Sequence, residues 1–190
     1  MSLESLMRNR RAAIARRWLD QTLQTYPADA AAFLGREKNQ FANPVGHTLA
    51  TGTSALVEAL VAGHRTEELR AHLTPMLKIR SVQDFTPAQA VSFVFLLKRA
   101  VREELAGELR PAEDADELDA FDRRIDELCL LAFDVFTQSR ERLHQIHVND
   151  VKRRVSGVMR RLGITLDDPD QEPDVRLSSL RRRQKRNAEP

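Results

Sequence analysis

Arg80, Gln83 and Asp84 crowd together just ahead of the apolar run that begins at Ala88. A guanidinium, an amide and a carboxylate at the edge of a core need hydrogen-bond partners. They can find them in each other and in nearby helix ends, or in a ligand. In the ligand case Arg80 faces an anion or a helix end, and Gln83 and Asp84 supply hydrogen bonds. Trp18, Phe41, Phe85 and Phe93 are the candidate apolar wall, and Asn43 joins them as a polar contact. Both readings stand on the sequence.

Other chemistry has less to work with. The sequence has no Gly-rich phosphate loop, no nucleophile elbow and no Cys/His pairing. Cys129, the single cysteine, sits between Leu128 and Leu130 as a buried structural thiol would. His144 and His147 are one helical turn apart and could share a metal, but no carboxylate completes a known signature, and a polar seam on an exposed helix explains them equally. A haem would need an axial histidine over an apolar pocket, and the spacing of His47, His64 and His72 does not demand one. We expect no catalysis, no metal and no cofactor, with haem as the alternative. The run Arg181-Arg182-Arg183-Gln184-Lys185-Arg186 could meet phosphates or acidic lipid, but no aromatics interleave it for base stacking.

Helical periodicity runs through the whole chain, so the elements that position these residues are helices. Seven segments are expected, with no sheet. The first spans about Leu3 to Thr25, with Leu3, Met7, Ile14 and Trp18 on one side. Pro27 to Leu34 begins a short second one. Asn43-Pro44 opens a third, striped by Val45, Leu49, Gly52, Leu56 and Leu60 and stopped by Gly63. Thr66 starts a fourth and Thr74-Pro75 a fifth. Thr86, Pro87 and Gln89 form a capping box for the sixth, which buries Ala90, Val94, Leu97, Val101 and Leu105 and widens its face with Val91, Phe93 and Phe95. The last runs from about Ala112 to Leu162. Its first stripe is Leu118, Phe121, Ile125, Leu128, Ala132 and Val135. Its second is Val148, Val151, Val155, Val158 and Leu162, in a different phase. The change, between Ser139 and His147, implies a change of packing partner, most simply a second copy of the same helix.

With 190 residues and a net charge of +2, the chain suits one domain with extensions. Residues 1–162 are expected to form that domain and 163–190 a disordered basic tail. One cysteine fits a reducing compartment. No apolar run approaches the roughly 20 residues that span a bilayer, and the N-terminus lacks a secretory h-region. A cytoplasmic protein is expected.

One set of segments resembles a known family. It comprises Arg36-Glu37-Lys38-Asn39-Gln40-Phe41-Ala42-Asn43-Pro44-Val45-Gly46, the Arg80-to-Pro87 stretch and Phe93-Val94-Phe95-Leu96-Leu97-Lys98-Arg99, with Arg17-Trp18 and the helix from Arg140 to Arg154. Together they resemble the N-terminal domain of RsbRD-type RsbT co-antagonists over about Leu3 to Leu162. The resemblance implies an all-α sensory input domain, a single bundle similar to a globin without haem. It implies a homodimer whose long C-terminal helix projects as a coiled coil and carries the signal to an output module. No such module is expected after Leu162, which puts stressosome assembly and RsbT antagonism outside what is implied. The function expected is signal input or adaptor work, with a small ligand or a regulatory protein as partner. A nucleic-acid contact through the basic tail is the further alternative.

Overall fold

A computed structural model describes residues 2–37, 39–110 and 113–161, the last three by backbone only. Among the described residues there are six helices and no strand: α1 Leu3–Leu23, α2 Ala28–Arg36, α3 Pro44–Ala62, α4 Thr66–Ser81, α5 Pro87–Leu105 and α6 Ala115–Arg161. The basic tail expected at 163–190, and Leu162, lie outside the described residues.

Local chemistry explains most of the boundaries. Ser2 caps α1 by accepting from the Ser5 amide at 3.3 Å. Asn43 caps α3 with Pro44 in its first turn, and Gly63 ends it with φ at 72°, a left-handed conformation that glycine adopts without a Cβ penalty. Thr86 and Gln89 form the reciprocal capping box at the start of α5. Pro27 sits at the N-cap of α2, one place ahead of the first helical position.

The expected break at Thr74-Pro75 does not occur. α4 runs through Pro75 as one helix, so six helices replace seven. Proline there removes one helical hydrogen bond. Leu73, Met76 and Leu77 flank it, all fully buried, and anchor both sides to the core. The Thr74 hydroxyl also donates to the Arg70 carbonyl at 2.7 Å. Burial outweighs the local preference.

The described residues divide into two compact units that part between His144 and Gln145, inside α6. In the first unit α1 packs on α3 and α5, and α3 packs on α4. The core runs from Leu3, Ile14 and Trp18 through Leu49, Leu56 and Leu77 to Phe93, Leu97, Ile125 and Phe136. The first-unit part of α6 lies along α5 through Lys98–Asp126 at 2.7 Å and a two-pronged Arg102–Asp122 pair at 2.6 and 3.1 Å. Arg124 reaches the Leu60 carbonyl at 3.3 Å, and Glu117 accepts from the Leu3 amide at 2.9 Å. Phe95, expected on the buried face, is 47 % exposed because it points off the α5 stripe. In the second unit Val148 is half-buried and Val151, Val155 and Val158 are exposed.

Gly52 is a tight point of this packing. A Cβ there would meet the Met76 side chain, with Cγ at 2.7 Å. Gly52→Ala should therefore lower stability by about 1–3 kcal/mol through overpacking at α3–α4, as read by urea denaturation.

Candidate functional site

The buried polar cluster centres on Arg80, in the last turn of α4. Its side chain is inaccessible to solvent. The guanidinium is enclosed by three rings, with Phe85 at 4.6 Å, Phe93 at 4.9 Å and Tyr26 at 5.1 Å from its central carbon to the ring centres. Such faces attract a cation. Its hydrogen bonds all go to neutral acceptors. Nη2 donates to Thr25 Oγ1 at 2.5 Å, Nη1 to the carbonyls of Gln89 and Ala90 at 3.3 and 3.2 Å, and Nε to Tyr26 Oη at 3.4 Å. Burial pushes Arg80 below its ordinary pKa, and Tyr26 offsets part of that. An arginine nonetheless stays protonated in proteins. Arg80 is thus a buried cation with no carboxylate partner among the described residues, an uncommon arrangement because buried charges are normally paired.

Three helix ends build this site. α1 stops just before Thr25 and Tyr26, α4 ends at Ser81, and α5 begins at Pro87. Tyr26 also packs edge-on against Phe85, with centroids 5.3 Å apart, and its hydroxyl donates to Gln83 Oε1 at 3.3 Å. Trp18 backs the cluster. It stacks on Phe93 at 5.9 Å and donates its indole N–H to the Phe93 carbonyl at 2.7 Å. The connection Val82 to Thr86 lies beside the cation. Val82 is 68 % exposed, Asp84 is exposed, and Gln83 and Phe85 are half-buried.

The structure therefore brings together Arg80, Gln83, Phe85, Phe93 and Trp18. It leaves three expected members out. Asp84 points to solvent and makes no ion pair with Arg80 among the described residues. Phe41 is 87 % exposed in the α2–α3 connection, so it walls nothing. Its substitution by alanine should change the unfolding free energy by less than about 0.5 kcal/mol in a denaturant titration. Asn43 is buried, but internal bonds occupy its amide. It donates to the carbonyls of Leu34 and Glu37, both at 2.9 Å, and accepts from the Gly46 amide at 2.8 Å. It staples the end of α2 to the start of α3.

Gly46 completes that staple. A Cβ at this position would run into the Asn43 side chain and come within 2.6 Å of the Leu34 carbonyl oxygen, a backbone atom that cannot swing aside. We expect Gly46→Ala to cost about 2 kcal/mol, with thermal unfolding as the check. The Asn43-Pro44-Val45-Gly46 motif is thus structural in its geometry.

Thr25 and Tyr26 are members of the cluster that the sequence pattern did not single out. Tyr26 is the single tyrosine of the chain and stands at the Tyr26-Pro27 helix break, which was the available signal.

Elsewhere, Cys129 is buried, and burial foremost, then Asp126, pushes its thiol above the ordinary value against a smaller lowering by Lys98. It should react slowly with a thiol reagent in the native state and fast in denaturant. No histidine is buried. His64 pairs with Glu68 at 2.6 Å, His72 is half-buried, and His47, His144 and His147 are exposed. Among the described residues no three His, Cys, Asp or Glu groups converge as metal ligands. No helix of the described residues is long and apolar enough to cross a membrane.

No match to a curated protein or to a solved structure was found. Residues 12–151 match the family of the RsbT co-antagonist protein rsbRD N-terminal domain. The match takes in α2 to α5, most of α1, and α6 as far as Val151, with the whole Arg80 cluster inside it. The chain belongs to the RsbRD N-terminal domain family, a family of regulatory sensor domains.

Proposed function

We propose that the chain is a non-catalytic signal-input or adaptor domain that binds a small ligand or a regulatory protein over the Arg80 cluster and signals through α6. The observation that carries this reading is the buried, carboxylate-free Arg80 in a domain of a sensor family. A charge held this way is poised for an anionic group, whether from a metabolite or from an acidic side chain of a partner. Exposed Val82 and Asp84 form the surface such a partner meets first. Gln83 links that surface to Tyr26 and so to Arg80.

The output is a homodimer paired through Val148, Val151, Val155, Val158 and Leu162. Support comes from the exposure of Val151, Val155 and Val158 and from their heptad spacing. Binding at the cluster biases one of two packings of α6.

Native mass spectrometry of the full chain tests this. The expected species is a dimer, converted to monomer by joint Val151→Asp and Val155→Asp substitution. A wild-type monomer at micromolar concentration would sink the output model. Added mass near that of a haem would move the sensing site to a histidine.

A further inference from the structure

Among the described residues, a polar contact ties α6 to the turn that carries Arg80. Arg140 Nη1 donates to the carbonyl of Ser81 at 3.1 Å. Ser81 is the residue after Arg80 and the last of α4, and it is buried. Its hydroxyl is tied back to the Lys78 carbonyl at 2.8 Å. The last turn of α4 therefore carries both the caged guanidinium and the acceptor for Arg140. A cation at the C-terminal carbonyls of a helix is also favoured by the helix dipole. Arg140 itself is exposed and stands one turn before His144, where the first compact unit ends, and within the stretch where the apolar stripe changes phase.

We infer that Arg140 is the positioning residue through which the state of the Arg80 cluster reaches the C-terminal part of α6. The four bonds to the guanidinium fix the last turn of α4. Loss or redirection of those bonds frees that turn, and the Ser81 carbonyl shifts with it. Arg140 then follows the carbonyl or lets it go, and α6 changes its packing beyond His144. The inference rests on the sensing role proposed above and names the residue that would transmit it.

Hydrogen exchange of amides 145–158 in the full chain separates the two claims. Tyr26→Phe removes one partner of Arg80 and the donor to Gln83 while keeping the ring, and Arg80→Met empties the cluster of charge. Each is measured with Arg140 present and with Arg140→Ala. Coupling predicts that the cluster variants change exchange in 145–158 by at least about threefold with Arg140 present and leave it unchanged in Arg140→Ala. An equal change in both backgrounds overturns the role of Arg140 and leaves the sensing role standing. No change in 145–158 in either background overturns both. Exchange in α1 and α5 reports whether each variant folds. Should Arg80→Met fail to fold, Tyr26→Phe alone decides the question.

Discussion

Replacing Arg80 by alanine should lower the unfolding free energy by about 3 kcal/mol, while replacing it by methionine should change it by less than about 1.5 kcal/mol. The contrast follows from what each change leaves behind. Alanine opens a hole between Phe85, Phe93 and Tyr26, which all face the guanidinium. Methionine fills most of that hole. Neither change strands a buried acceptor. Gln89 and Ala90 lie within α5, where their carbonyls keep their helical partners. The Thr25 hydroxyl keeps its bond to the Thr22 carbonyl at 2.7 Å, and the Tyr26 hydroxyl keeps Gln83. What methionine removes is mainly a desolvated charge with no counter-ion, a costly group to bury. A stability equal to or above wild type in Arg80→Met, by urea titration, would mean that the arginine is not needed for folding. A loss of more than about 4 kcal/mol would mark it as an ordinary structural residue.

Trp18→Ala should be more damaging, at about 4 kcal/mol. The indole is fully buried, stacked on Phe93 with an interplanar angle of 13°, and its N–H is bonded across to α5. Truncation removes the area, the stacking and that hydrogen bond together. Trp18→Phe restores the apolar area without the N–H donor and should recover more than half of the loss. If Trp18→Phe proved no better than Trp18→Ala, the bond to the Phe93 carbonyl would outweigh the packing, contrary to the modest net strength of a single hydrogen bond.

Local signals make much of this fold legible in the residues themselves. The caps at Asn43 and Thr86 and the stop at Gly63 are short-range chemistry, and each stands where its residues indicated. The α6 stripe from Phe121 to Val135 is buried as its period required. Pro75 misled because a proline's local cost is visible in sequence, whereas the burial of Leu73, Met76 and Leu77 that overrides it is a tertiary property. The cluster was legible in part for the same reason. Arg80, Gln83 and Phe85 are neighbours along the chain, and Phe93 is two turns into the next helix. Thr25 and Tyr26 reach Arg80 across α2 and α3, and no periodicity reports such a contact. Phe41 suggests a wall by residue type alone, and an aromatic side chain does not declare whether it is buried.

If the Arg80 cluster and the last helix are energetically coupled, linkage makes the coupling measurable without knowing the ligand, because a change at one site must alter the equilibrium at the other. The dimer dissociation constant of the full chain, by sedimentation velocity for wild type and Arg80→Met, is the direct test. Coupling predicts a shift of at least about fivefold between the two folded proteins. Identical dissociation constants, or a wild-type chain that stays monomeric at every concentration, would contradict it.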